Sequence, residues 1–290
     1  MSPGAVLTLT CPAAVSASSL GGAPVPVSFT PPQGTGGASP VNVTCTPNSG
    51  TLFNPGTTTV SCVAADSAGH NATCGFSVNV SAVPQLGVTR FMTFGDSLTE
   101  GKLSLTLSQL VDSPAFSYPA KLLAKLTERY SAQPITMLNE GLGGERAVDS
   151  VGRFKTALSA DHPDAVLLMH GVNDLNAVGD GRVQAAVDAL EEMVKAARQN
   201  NLATFIATLP PLGPGGKASC PECVDPFNDR VRSMASAKGA VLVDVNAAWG
   251  GRTDLMGADG IHPTEAGYEV IAGAFFEAIR RTLERAPVTP

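Results

Sequence analysis

Four short stretches hold residues whose types suit acyl-transfer chemistry. In Gly95-Asp96-Ser97-Leu98 a run of β-formers from Val88 to Phe94 stops abruptly. A serine at a strand's carboxyl end, with its N–H at a helix N-terminus, can turn its hydroxyl into a crevice as a nucleophile. The plainer role of Ser97 or Asp96 is to cap that helix. In Asp259-Gly260-Ile261-His262-Pro263 an aspartate stands three residues ahead of a histidine. If the loop folds back, the carboxylate accepts Nδ1–H and leaves Nε2 free to take a hydroxyl proton. The plainer role is a helix-entry loop with Pro263 at or near the first helical turn. Asn139-Glu140-Gly141-Leu142-Gly143-Gly144-Glu145 offers backbone N–H groups that glycines leave accessible, and His170-Gly171-Val172-Asn173-Asp174 offers a side-chain amide. Both can face a developing oxyanion, and both also suit ordinary turns. Together they make a nucleophile, a base with its orienting acid, and oxyanion donors.

These groups work only if the chain brings them to one edge. From residue 85 onward the sequence alternates between strand-like and helix-like patterns. Strands are expected at Val88–Phe94, Ile135–Asn139, Ala165–His170, Ala203–Thr208 and Ala240–Asp244. Helices are expected at Tyr118–Tyr130, Arg182–Arg198, Phe227–Ala237 and Thr264–Leu283. In Arg182–Arg198 the residues Val183, Val187, Leu190, Val194 and Ala197 make one apolar stripe, opposite Glu191, Glu192, Lys195 and Arg198. Such alternation predicts an α/β domain with a parallel sheet covered on both faces, and its reactive crevice lies beyond the strands' carboxyl ends. All four stretches follow expected strands or precede the last helix.

The first 84 residues differ in composition. They are rich in Thr, Ser, Val, Pro and Gly, with short alternating runs at Val25–Phe29, Val41–Cys45, Thr57–Val63 and Ala72–Val80. A small all-β sandwich is expected there, joined by a linker at Ser81–Leu86 that carries Pro84. Cys11, Cys45, Cys62 and Cys74 fall in this segment, and disulfides among them would offset its small core. Cys62 and Cys74 flank one hairpin turn, but four cysteines permit three pairings. His70 is expected as a solvated residue in that turn. Cys220 and Cys223 share the Pro/Gly-rich loop Pro210–Cys223, a substrate-rim position, and suit a small disulfide or two thiols better than a metal site. Disulfides imply an oxidising compartment, extracellular or periplasmic. The first residues lack a signal peptide's basic start and apolar stretch, so such a segment is expected to have been removed.

The chain has 290 residues and a net charge of −6, with a pI of about 5.2. Its basic residues are dispersed, which disfavours nucleic acid, and no apolar run is long enough to span a membrane. Asn42, Asn71 and Asn79 begin Asn-x-Ser/Thr triplets, which chance explains in so Thr- and Ser-rich a segment. The Gly-rich stretch lacks the Lys-Ser/Thr ending of a P-loop, and Ser97 is not in a Gly-x-Ser-x-Gly elbow.

With these motifs in order, residues 88 to 286 resemble the GDSL, or SGNH, hydrolases. The matching blocks are Gly95-Asp96-Ser97-Leu98, Gly141 with Gly144, Gly171-Val172-Asn173-Asp174 and Asp259-Gly260-Ile261-His262. The resemblance implies a three-layer α/β/α, flavodoxin-like fold with a five-stranded parallel sheet. It also implies metal-free, cofactor-free ester hydrolysis through an acyl-enzyme. Ser97 then matches the nucleophile, His262 the general base and acid, and Asp259 its partner. Ser97 N–H, Gly144 N–H and the Asn173 side chain match the oxyanion donors, with Gly143 the alternative to Gly144. Leu103–Phe116 lengthens the path between the first two blocks and is expected as a lip over the site. Residues 7–80 resemble the hyalin repeat, an immunoglobulin-like extracellular accessory module, which implies surface or glycan contact. The expected domains are therefore 1–84 and 85–290.

The expected substrate is a small or polymer-borne ester. Alternatives within the family are a carbohydrate O-acetyl esterase, a lysophospholipase or thioesterase, and an arylesterase. An adhesion protein with a vestigial hydrolase half, and a glycosidase using Asp174 and Asp259, are readings of other classes. His162 is expected to be structural and His170 to lie near the pocket.

Overall fold

The computed structural model describes residues 6–177, 181–213 and 216–285. Residues 214 and 215 of the expected rim loop lie outside that description, as do both termini. The described chain divides into two compact units, one formed by the segment up to Gln85 and one by Leu86–Glu284.

The first unit is rich in strands. Its four-stranded sheet runs in the order Val15–Leu20, Asn71–Val83, Gly56–Ala65, Asn42–Thr46, with the first pair parallel and the others antiparallel. Alternation along Gly56–Ala65 buries Val60, Cys62 and Ala64 and turns their neighbours outward, as a half-buried strand requires. Phe29, Phe53, Val60, Phe76 and Val78 form its core. Cys62 stands opposite Cys45 on one side and Cys74 on the other. It is bonded to Cys45, while Cys74 is bonded to Cys11. A central-strand cysteine flanked in register on both sides cannot have its pairing chosen from spacing alone. His70 is exposed, with Nδ1 3.0 Å from Asp66 Oδ2.

The second unit is a three-layer α/β/α domain. Its strands are β1 (Arg90–Gly95), β2 (Thr136–Gly141), β3 (Ala165–Met169), β4 (Ala203–Ala207) and β5 (Val241–Val243). They pair in the order β2-β1-β3-β4-β5, all parallel. That is the doubly wound order whose direction of winding reverses between β1 and β3, which opens a crevice at their carboxyl ends. β1 and β3 sit between neighbours and under helices, and β3 is buried throughout as Ala-Val-Leu-Leu-Met.

The helices are α1 (Ser97–Glu100), α2 (Tyr118–Arg129), α3 (Ala147–Asp161), α4 (Val172–Asn176), α5 (Arg182–Gln199), α6 (Val224–Lys238), α7 (Val245–Trp249) and α8 (Glu265–Leu283). α2 packs with α8, where Tyr118 and Phe275 stack at 5.1 Å, and α5 packs with α3 and α6. The apolar stripe expected on α5 is buried at Val187, Leu190, Val194 and Ala197. α3 was not expected from the sequence. Leu103–Phe116 forms a hairpin of Lys102–Ser104 with Leu110–Asp112, followed by a single 3₁₀ turn at Pro114–Phe116. No described helix is long and apolar enough to cross a membrane.

Candidate active site

The end of β1 is built so tightly that side chains are excluded. A methyl group on Gly95 would run into the Met169 carbonyl and the Thr99 hydroxyl, and one on Gly141 would strike the backbone of Glu100. This close approach, rather than a left-handed backbone, is why glycine stands at both places. Asp96 caps α1, its Oδ1 accepting Leu98 N–H at 3.0 Å. Ser97 is the first residue of α1, so its N–H has no partner within the helix. The helix ends after one turn at Gly101, whose φ of 103° suits glycine. Ser97 therefore sits at the rim of the β1/β3 crevice, 5 % exposed.

The segment from Gly257 to Pro263 folds back on itself. Gly257 N–H donates to the His262 carbonyl at 2.8 Å, and Asp259 Oδ1 accepts the N–H groups of Ile261 and His262 at 3.0 Å each. Asp259 Oδ2 lies 2.7 Å from His262 Nδ1, and His262 Nε2 lies 2.8 Å from Ser97 Oγ across 165 residues of chain. Burial alone would raise the Asp259 pKa, but the His262 ring and the two backbone N–H groups hold it down at about 2. A carboxylate beside Nδ1 fixes the proton there and leaves Nε2 to accept from the serine. Ser104, at the turn end of the hairpin's first strand, accepts Asp259 N–H at 3.0 Å, and at the strand's other end the Lys102 carbonyl accepts from Tyr268 on α8 at 2.6 Å. The hairpin is thus anchored beside the histidine loop. Pro263 lies one residue before the α8 cap Thr264, just outside the helix and near its first turn, as expected.

Beyond β2 the chain makes a tight turn in which Leu142 N–H donates to the Gly95 carbonyl and Glu145 N–H to the Leu142 carbonyl. Gly144 has a φ of 80°, is exposed, and its N–H meets no acceptor among the described residues. A methyl on Gly143 would press on the Glu100 and Lys102 side chains, so that glycine serves packing and Gly144 is the one left open. Asn173, in the first turn of α4, donates one amide hydrogen to the Glu145 carbonyl at 2.9 Å, and its second meets no acceptor among the described residues.

The structure thus brings Ser97, His262 and Asp259 into one hydrogen-bonded line, and Gly144 and Asn173 to one turn. Asp174 serves a helix end. It is buried, and its oxygens accept Ala147 and Val148 N–H at 2.7 and 3.2 Å, capping α3. His162 ends α3 in a left-handed conformation, φ 46°. Cys220 and Cys223 form a disulfide.

Sequence reasoning placed His170 near the pocket but missed its partners and Arg153 beneath these loops. His170 is buried, with Nδ1 3.1 Å from Asp96 Oδ2 and Nε2 3.1 Å from Ser150 Oγ and 3.5 Å from Glu145 Oε2. Gly171 N–H also donates toward Nδ1 at 3.0 Å, competing for that edge of the ring. Arg153 on α3 grips Glu145 at 2.5 Å, reaches the Glu140 carbonyl at 3.1 Å and lies over the Phe94 ring at 4.0 Å. The signal was available in the strand register. Gly95 pairs with Met169, so the residues that follow them, Asp96 and His170, leave adjacent strands side by side.

The sequence model of the GDSL-like lipase/acylhydrolase family matches residues 93–270, and that of the HYR domain matches residues 7–80. A multidomain esterase of Ruminococcus flavefaciens is 28 % identical over 233 residues, covering 68 % of this chain and 29 % of its own length. The chain therefore spans under a third of that curated relative. Among solved structures, an α/β hydrolase enzyme from the metagenome of Lake Arreo, Spain, superposes with a TM-score of 0.56 at 25 % identity, over 67 % of this chain and 95 % of that one. The lipase/acylhydrolase of Enterococcus faecalis gives 0.56 at 20 % over 70 % and 100 %. An acetylxylan esterase of Geobacillus stearothermophilus gives 0.55 at 20 % over 70 % and 98 %. These last two likenesses speak for the fold.

Proposed function

The chain belongs to the GDSL-like lipase/acylhydrolase family, and from that premise we propose that it hydrolyses carboxylic esters through Ser97, His262 and Asp259. The observation that carries this reading is the unbroken line from Asp259 Oδ2 through His262 to Ser97 Oγ, with links of 2.7 and 2.8 Å. Neutral His262 takes the Ser97 proton at Nε2 as Oγ attacks the ester carbonyl. The tetrahedral oxyanion is held by Ser97 N–H, Gly144 N–H and the free amide hydrogen of Asn173. The imidazolium then protonates the departing alcohol, leaving the acyl group on Ser97. Water enters, gives a proton to His262 and attacks the acyl carbon, and collapse returns the proton to Ser97 and releases the acid.

The catalytic domain in this reading is 85–290, and 1–84 is an accessory module of the HYR type. The disulfides favour an extracellular or periplasmic setting. The test is the rate on a chromogenic short-chain ester. Ser97→Ala should lose roughly 10⁴- to 10⁶-fold in kcat, and a variant that kept several per cent of the wild-type rate would remove Ser97 from the reaction.

A further inference from the structure

The buried cluster behind the oxyanion turn is not used by the mechanism, although it touches every part that holds an oxyanion donor. Asp96 caps the helix that begins at Ser97, and its second oxygen faces His170 Nδ1 at 3.1 Å. On the other edge of the ring, Nε2 faces Ser150 Oγ at 3.1 Å and Glu145 Oε2 at 3.5 Å. Glu145 follows Gly144 directly, and its backbone carbonyl accepts the Asn173 amide at 2.9 Å. Any shift of Glu145 therefore moves the Gly144 peptide and the Asn173 side chain together.

We propose that His170 is a positioning residue for the oxyanion hole: it ties the Asp96 cap beneath Ser97 to Glu145 beneath Gly144 and Asn173, holding all three donors in one register. This rests on the assignment of those three groups as the donors. The groups facing His170 are Asp96 on the α1 cap, Glu145 on the turn after β2, Asp174 on α4, and Ser150 on α3. Arg153, also on α3, holds Glu145 from its far side. A neutral imidazole has one N–H and would turn a lone pair toward one of the two carboxylates, whereas the cation donates to both. Burial pushes the ring toward neutrality, but the Asp96 and Glu145 carboxylates outweigh it and raise the pKa to about 9. The two carboxylates thus favour the cation at neutral pH, against the Gly171 N–H that points at Nδ1 from 3.0 Å, and Glu145 is shared with Arg153. Glu145 is likewise driven upward by burial, yet His170 and Arg153 pull it down to about 2.

Two substitutions separate the two bonds. His170→Asn places an amide donor near the Nδ1 position and keeps the Asp96 bond only, and His170→Gln places one near Nε2 and keeps the Glu145 side only. In each, kcat on the chromogenic ester should fall about 10- to 100-fold while KM stays within about threefold, since a displaced donor costs less than a deleted one. The inhibition constant of a trifluoromethyl ketone, whose hemiketal with Ser97 puts an anionic oxygen in the hole, should rise by the same factor as kcat falls. The wild-type rate should decline above about pH 9, where His170 loses its proton, and that decline should be absent from both variants. Should neither variant fold, Glu145→Gln keeps an acceptor for His170 and Arg153 without the charge, and the same pattern is expected at smaller amplitude.

Variants that are folded at the assay temperature and have kcat within about twofold of wild type, or a kcat loss not mirrored by the ketone, overturn the proposal. Asn173→Ala distinguishes the two levels of inference. If it leaves kcat unchanged, the oxyanion assignment itself fails. If it costs kcat while the His170 variants do not, only the positioning role falls.

Discussion

The loop after β3 and the loop before α8 each place a buried histidine against an aspartate, and the two pairs differ in what the far edge of the ring meets. His262 has Asp259 at 2.7 Å on Nδ1 and the Ser97 hydroxyl at 2.8 Å on Nε2. His170 has Asp96 at 3.1 Å on Nδ1 and, on Nε2, Ser150 with the Glu145 carboxylate close behind. A hydroxyl can give up a proton to the ring, so the first pair can cycle between neutral and charged states. A second carboxylate favours keeping the proton on the ring, and the His170 pKa is raised to about 9. The same two residue types therefore serve as a proton carrier at the rim and as a fixed tie beneath it, and the third neighbour decides which.

The largest effects are expected at the rim. Ser97→Ala and His262→Ala should each cost roughly 10⁴- to 10⁶-fold in kcat, measured on a chromogenic ester. Asp259→Asn, which keeps the shape but presents the wrong hydrogen-bonding pattern to Nδ1, should cost about 10⁴-fold. If His170→Asn cost as much as Asp259→Asn, the two pairs would be catalytic equals and the contrast would be wrong. Next in size, Asn173→Ala removes one oxyanion donor and should lower kcat by about 10²- to 10³-fold with little change in KM.

The smallest effects are on stability, and they run in opposite directions with pH. The His170 pKa is raised in the fold, so its stabilisation is complete below the ordinary value of 6.5 and fades as pH climbs to about 9. The Asp259 pKa is lowered, so its stabilisation is present above 3.8 and fades as pH falls to about 2. Calorimetry of the wild type against His170→Asn should show a melting-temperature gap that narrows between pH 6.5 and 9. Against Asp259→Asn the gap should narrow between about pH 3.8 and 2. Parallel shifts across the whole range would show that neither pair is held electrostatically.

Much of this was legible in the sequence because the informative signals were local. Asp259 and His262 are three residues apart, Ser97 sits where an apolar β run ends, and the five strands of the parallel sheet each announce themselves by composition. What stayed hidden depends on partners far along the chain. α3 begins after Arg146 without a side-chain cap of its own, because Asp174, across the fold, accepts its first N–H groups. A search for Ser, Thr, Asp or Asn just ahead of the helix therefore finds nothing there. The Asp96–His170 pair spans 74 residues and becomes visible only once β1 and β3 are set in register. Cys62 faces a cysteine on each side, so its choice of Cys45 was beyond any count of spacings.

One measurement bears most directly on the rim assembly. A fluorophosphonate probe reacts with a serine only where a neighbouring base withdraws its proton, and peptide mass spectrometry locates the adduct. The account predicts a single adduct on the Ser97 peptide, formed at a rate that falls at least a hundredfold in His262→Ala. An adduct on another serine, or undiminished labelling without the His262 ring, would contradict it.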